Sequence, residues 1–321
     1  MRRAQADGSS LKLAATRAFT ADAAHLPQMD VPHERPDGQW DELRYREFGP
    51  ADARVGVLSF DFHNGAMSTR QGQRLAAALR ELRARPTRVL LLAGGAEFFS
   101  NGIHLHDIEA AAMEGGSAAD ASMRNIEAID DVALEILTLT DRLTISLLRG
   151  NAGAGGCFLA LAADEVWAFE PVVLNPHYKN MGNLYGSEYW TYTLPRRVGE
   201  PLAAELMRAR LPLSAAQACA LGLIDAVLPV ANPEAVAQER AAALAAATGC
   251  AQRIAAKQAR RAEDEARKPL AAYRAEELAR MHRNFYGFDP SYHIARHHFV
   301  HRKPQAWTPR HLAVHRDGAS P

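Results

Sequence analysis

The chain has 321 residues, 48% of them hydrophobic and 23% charged, which suits a globular protein with one sizeable core and terminal extensions. Its 37 basic and 37 acidic residues cancel, so there is no electrostatic basis for a nucleic acid or an anionic membrane as partner. No apolar run reaches the roughly 18 residues of a membrane helix, and Asp7, Ser9 and Ser10 stand where a signal core would follow the first arginines, leaving the cytoplasm as the default location.

Residues 1–42 mix Ala, Arg, Pro, Asp and His with little periodicity and read as a leader or linker with room for one short helix at 11–24. From Leu43 the pattern becomes ordered. Residues 54–62 (RVGVLSFDF) alternate as a strand, and 88–92 form a short apolar strand that runs into Ala93-Gly94-Gly95. Between them, 68–85 carries Leu75, Leu79 and Leu82 on one helical stripe, so a right-handed parallel crossover is predicted. A flexible stretch is expected at 110–121, where Glu114-Gly115-Gly116-Ser117 interrupts helix propensity; a helix over 123–138 and a buried strand over 144–148 follow. A glycine-rich junction at 150–156 leads into the apolar run 157–163, and 165–168 is the next strand. The glycines stand at junctions, where backbone must approach something closely.

Residues 171–193 (PVVLNPHYKNMGNLYGSEYWTYT) differ from the rest, dense in Asn, His, Tyr, Glu and Trp with little regularity; a loop of this chemistry on a rigid scaffold is where function concentrates. Helices are predicted over 201–207 and 214–221, the second with Ser214 as N-cap and Gly222 as terminator. From 233 to 286 the pattern is helical, broken once at Pro269, and the tail 287–321 returns to loop chemistry. Its segment HIARHHFVHRKP could present His293 and His297 from one helical face, but no acid or cysteine completes a known signature, so no metal is predicted. Cys157, Cys219 and Cys250 lie far apart without zinc or redox spacing and read as small buried hydrophobes in a reducing compartment.

Four separated motifs in order, RVGVLSFDF with NGAMS, AGGAEFFSNGIHL, RGNAGAGGCFLALAA and LSAAQACALGLIDAV, resemble the crotonase (enoyl-CoA hydratase/isomerase) superfamily over 54–230. Within it, LNPHYKNMGNLYGSEYWTYTLPRRVG and the terminal YHIARHHFVHRKP resemble the C-terminal domain of the HypX/HoxX hydrogenase-maturation family, a likeness that runs from about 43 to 304. The resemblance implies an α/β fold of the ClpP/crotonase-like type: a β-β-α spiral core at 43–230 and a helical C-terminal region and tail at 231–321. Residues 1–42 are too short for the formyl-tetrahydrofolate-binding domain of that family, so the chain is expected to be an excised domain or a free-standing relative. Crotonases form trimers or dimers of trimers, but a long tail folded over its own site is equally compatible, and oligomeric state stays open.

For the site, the resemblance implies that the backbone amides of Ile103 and Gly155 polarise a thioester oxygen, helped by the partial positive charge at a helix start. It places pantetheine between segment 98–105 and the glycine turn, with Phe98, Asn101, Gly102, Leu105, Gly153 and Gly156 framing the acyl-CoA and Asn175 and Tyr185 as network members. Lys179, Arg196 and Arg197 are near enough in sequence to reach its phosphates. Coenzyme A would come and go with substrate and product, with no tightly bound cofactor. The two glutamates of hydratases are absent: their positions hold Phe158 and about His177, so ordinary hydration, which needs a base for water and an acid for carbon, is not expected.

The family reading instead implies decarbonylation of formyl-CoA to carbon monoxide and coenzyme A for nickel–iron hydrogenase, with a formyl-transferring or maturation partner. That chemistry needs a polarised carbonyl, one proton shuttle and exclusion of water. Glu188, set among Tyr185, Ser187, Tyr189 and Trp190, is the preferred shuttle because apolar burial raises a carboxyl pKa; Tyr178 would orient it, and His177 is the other acid–base candidate. Two alternatives stand beside this: hydrolysis, decarboxylation or isomerisation of another short acyl-CoA, and a non-catalytic acyl-CoA-binding protein.

Overall fold

The computed structural model describes residues 42–303 apart from 230; the leader, its helix at 11–24 and the last part of the tail lie outside them. Six strands make the main sheet: β1 (Leu43–Phe48), β2 (Val55–Phe60), β4 (Val89–Ala93), β7 (Leu143–Leu148), β9 (Glu165–Phe169) and β12 (Ala226–Leu228), in that spatial order. Only β1 and β2 are antiparallel; β2 to β12 run parallel. Continuous apolar strands such as VLLLA and LTISLL are what a parallel sheet covered on both faces requires, and every residue of β4 and β7 is buried.

A second sheet, in the order β11 (Leu213–Ser214), β10 (Val173–Asn175), β8 (Asn151–Gly153), β5 (Phe98–Ser100), stands beside it, and a short parallel pair joins β3 (Ala66–Met67) to β6 (Gly102–Ile103). The crossover helix between β2 and β4 is Thr69–Leu82, with Leu75, Leu79 and Leu82 buried as the stripe required. It starts at a capping box, Ser68 Oγ accepting from Gln71 N–H at 3.2 Å while Gln71 Oε1 accepts from Ser68 N–H at 2.9 Å. Ser214 caps the helix Ala215–Ala220 in the same way with Gln217.

Three expectations are corrected. The stretch expected to be flexible at 110–121 is mostly helical: Leu105–Met113 and Ala118–Leu137 are separated by a short turn, because Ser117 accepts from Asp120 N–H at 3.1 Å and restarts the helix at once. The C-terminal helical stretch breaks twice, into Pro233–Ala246, Cys250–Arg267 and Leu270–Tyr286: Ala247 turns extended after the first segment, and Lys268, held extended by the following Pro269, ends the second. The tail is not loop throughout: Ser291–Val300 is a helix.

These helices belong to the same core. Ala237, Ala241 and Ala245, at four-residue spacing, are wholly buried, and Arg88 Nη1 donates to Ala245 O at 3.1 Å. Lys257 is buried with its ammonium satisfied by Leu139 O, Arg142 O and Asp164 Oδ2 at 2.6, 2.9 and 2.6 Å. The last helix folds back on its own chain: Arg296 Nε donates to Glu109 at 2.8 Å, and the Tyr292 and Ser122 hydroxyls lie 2.6 Å apart. Cys157, Cys219 and Cys250 are free thiols; Cys157 and Cys250 are buried, and Cys157 Sγ donates to Ala152 O at 2.9 Å. No helix among the described residues is long and apolar enough to cross a membrane.

Candidate active site

The site forms where three parallel strands of the second sheet end together. β5, β8 and β10 are adjacent and parallel, so their carboxyl ends deliver Asn101, Ala154 and the loop after Asn175 to one place, where open α/β sheets bind ligands. Ser100 Oγ accepts from Gly102 N–H at 3.1 Å and fixes the turn into β6, where Gly102 takes a φ of 79°. Ala154 N–H donates to Asn175 O at 3.0 Å, and Ala154 holds a φ of 47° just before the helix Gly155–Leu161. A non-glycine residue there stores strain, a feature that clusters at functional sites. A Cβ on Gly102 would lie 3.3 Å from Gly155 N, so the two predicted amide segments face each other closely.

Between them lies a cavity of about 100 Å³, lined by Asn101, Gly102, Ile103, Leu105, Ala154, Gly155, Tyr178, Ser187 and Glu188, with Ile126, Met181, Leu184 and Met281 closing it. Glu188 is 2% exposed, and its Oε1 would sit only 2.5 Å from a Cβ on Gly155. Tyr178 Oη lies 2.5 Å from Glu188 Oε2 and 2.8 Å from Ser187 O. This gives the pair two consistent states. When Glu188 is a carboxylate, Tyr178 donates to it; when Glu188 is protonated, it can donate to Tyr178, which then donates to Ser187 O. Phe158 stacks on Tyr178 with ring centroids 4.9 Å apart and an interplanar angle of 16°.

Burial pushes the Glu188 carboxyl up to about 7 against the lowering effect of its hydrogen bond from Tyr178 and of the neighbouring Ser187. Burial likewise raises Glu277, to about 8, and Asp130, both of which also feel the Glu188 charge. Carboxyls raised on folding favour the native state while protonated. Their contribution is full below the ordinary 4.5 of Glu and is lost as the pH rises through about 7 and 8. The melting midpoint is therefore expected to fall between about pH 5 and 8.5. Glu277→Gln should flatten that fall; an unchanged pH slope by scanning fluorimetry would refute the assignment.

The remaining predicted residues do not line the cavity. His177 is buried, its Nδ1 accepts from Lys179 N–H at 3.2 Å, and burial followed by the Arg210 charge lowers it to about 4. Phe98 packs on Gly65, Gly153 lies in β8 beside Asn101, and Gly156 abuts Ser100. Asn175 supplies its carbonyl to Ala154 and His177, while Tyr185 is half-buried and holds Asn284 and Trp190. Arg196 and Arg197 are spent elsewhere. They pair with Asp264 and Asp225 at 2.6 and 2.7 Å along a separate polar cavity of about 470 Å³.

Sequence reasoning missed Asp130, Glu277, Met181, Leu184 and Met281. A signal existed for Asp130, an acid set among Ile126, Ile129, Val132 and Ala133 on the buried face of its helix. The histidine reading also changes. His293 turns to Phe285 O at 2.8 Å, whereas His297 Nδ1 and His301 Nε2 converge on Glu109 Oε1 at 2.7 and 3.0 Å. All three ligand atoms lie within 4.8 Å, so the acid that the local sequence lacked comes from a distant helix. Burial raises Glu109, but His297, Arg296 and His301 outweigh it and hold the carboxyl at about 2.

Residues 53–310 match the enoyl-CoA hydratase/isomerase family. The chain belongs to that family. It is closely related to the HypX/HoxX hydrogenase-maturation factors: the hydrogenase maturation factor HoxX of Bradyrhizobium diazoefficiens is 54% identical over 313 residues, 97% of this chain and 53% of that protein. The crystal structure of HypX from Aquifex aeolicus in complex with tetrahydrofolic acid superposes with a TM-score of 0.79 at 46% identity, over 90% of this chain and 49% of that one. The chain thus spans about half the length of these two relatives. An enoyl-CoA hydratase from Bacillus halodurans shares the fold, with a TM-score of 0.66 at 18% identity over 78% of this chain and 99% of its own.

Proposed function

We propose that the protein decarbonylates formyl-CoA, releasing carbon monoxide and coenzyme A for the assembly of nickel–iron hydrogenase. One observation carries the reading: Glu188, the carboxyl that lines a cavity of about 100 Å³, shares a short hydrogen bond of 2.5 Å with Tyr178. That volume is worth only a few water molecules and suits a very small acyl group. The relation to HypX/HoxX supports the same chemistry.

In this reading the amides of Ile103 and Gly155 polarise the formyl oxygen. The Glu188 carboxylate takes the formyl proton, the C–S bonding pair leaves with sulfur, and carbon monoxide departs. Glu188 then returns the proton to the thiolate, so no water is consumed and the shuttle is regenerated. Tyr178 stabilises each state of Glu188 by turning its hydroxyl between the carboxylate and Ser187 O. Leu105, Ile126, Met181, Leu184 and Met281 keep out the water that would divert the thioester to formate. Coenzyme A takes part only as substrate and product, delivered by a formyl-transferring partner in the cytoplasm.

The test is incubation with formyl-CoA while carbon monoxide, formate and free thiol are followed together. Equal release of carbon monoxide and thiol is expected. Formate with thiol would mean hydrolysis, and no release of either would mean an acyl-CoA-binding protein. Tyr178→Phe should slow carbon monoxide release by less than loss of Glu188, because it removes one orienting hydroxyl and leaves the proton carrier in place; equal losses would make Tyr178 a proton carrier itself.

A further inference from the structure

Glu188 and Tyr189 are consecutive non-glycine residues at φ 62° and 58°, a left-handed turn that L-residues enter only under constraint. The constraint comes from two acids on different helices. Asp130, on Ala118–Leu137, accepts from Glu188 N–H through Oδ1 at 2.7 Å. Glu277, on Leu270–Tyr286, accepts from Tyr189 N–H through Oε2 at 2.9 Å, and from Thr191 N–H and Oγ1–H through Oε1 at 2.8 and 2.5 Å. Both acids are 0% exposed.

We propose that Asp130 and Glu277 are positioning residues for the reaction, clamping the backbone of the Glu188–Tyr189 turn so that the Glu188 carboxyl is held over Gly155 and remains a proton carrier. The formyl-CoA reading enters only through the choice of substrate. Two features argue for more than structural support. At Asp130 an amide side chain could accept the same N–H bond without the cost of burying an acid, yet the position holds a carboxyl; Glu277 accepts on both oxygens, which no amide can do. Three buried carboxyls also lie together with little neutralising charge: Arg274 Nε lies 3.9 Å from Asp130 Oδ2, while its Nη1 is engaged by Asp131 at 2.7 Å. The groups that face Glu188 are thus Tyr178 from its own loop, Asp130 from one helix and Glu277 from another, with Arg274 reaching Asp130; the helix at Gly155 adds no titratable side chain. The Glu188 charge raises the proton affinity of both Asp130 and Glu277, and such repulsion acts both ways, so the cluster holds a proton beside Glu188.

The experiment uses the full chain with Asp130→Ala, Asp130→Asn and Glu277→Gln, checked by melting midpoint. Turnover of formyl-CoA is measured together with an infrared titration of the Glu188 carboxyl, its band assigned by loss in Glu188→Gln. Asp130→Ala should lower kcat by roughly 10²-fold with KM little changed, the effect of a misaimed group. Asp130→Asn, which keeps the acceptor, should restore most of the rate while moving the Glu188 titration to lower pH, and Glu277→Gln should move it the same way. Full turnover in Asp130→Ala, or a Glu188 titration that is identical in wild type, Asp130→Asn and Glu277→Gln, would overturn the proposal. If Asp130→Ala does not fold, Asp130→Asn and Glu277→Gln decide it by titration alone. Should wild type release no carbon monoxide, the formyl-CoA reading fails while the infrared titration still decides the clamp.

Discussion

Glu188→Gln is expected to abolish carbon monoxide release while leaving affinity for coenzyme A nearly unchanged. The substitution keeps the size of the side chain and its place beside Tyr178 Oη, 2.5 Å away in the native site, but removes the ionisable proton. Positioned acid–base groups contribute roughly 10²–10⁴-fold, equivalent to about 3–5 kcal/mol of barrier. Binding energy comes chiefly from pantetheine and nucleotide, so the affinity should move by less than about 1 kcal/mol. Single-turnover kinetics and calorimetric titration with coenzyme A separate the two quantities. A variant that keeps near-native rate would remove Glu188 from the chemistry, and equal losses of rate and affinity would make it a structural residue.

The second large effect is on stability. Gly156→Ala should destabilise the fold, because its Cβ would fall 1.8 Å from Ser100 O and 2.3 Å from Ser100 C, backbone atoms of β5 that cannot swing away. Relief requires the helix Gly155–Leu161 to part from β5, an overpacking cost of roughly 3 kcal/mol or more. The melting midpoint should drop by roughly 5–10 °C. Gly155→Ala makes a useful contrast. Its methyl would meet the end of the Glu188 side chain at 2.5 Å rather than backbone, so it should harm turnover more than melting. A Gly156→Ala protein that melts like wild type would show that the helix has room to shift.

The order of strands and most helices was legible because each is a local pattern. Apolar runs such as VLLLA mark parallel strands, Ser68 and Ser214 mark helix starts, and the glycines at 153–156 mark a close backbone approach that the Ser100–Gly156 contact makes concrete. The polar loop after Asn175 stood out by composition, and Tyr178 and Glu188 within it do line the cavity. His177 was equally visible and has the more familiar acid–base side chain, yet it is packed away from the cavity and its proton affinity falls. Residue type named the candidates, but the twist of one loop chose between them.

What the sequence determined by itself is therefore the set of elements and the chemistry available at the strand ends, because hydrophobic period, caps and glycine act over a few residues. The tertiary structure alone decided which groups meet. Asp130 reaches Glu188 across 58 residues, Glu277 reaches Tyr189 across 88, and Glu109 receives His297 across 188. Nothing local encodes such meetings. They follow from how helices dock on the sheets, and the surroundings then set the proton affinities: Glu188 and Glu277 rise because they are buried, and Glu109 falls where Arg296 and two histidines surround it.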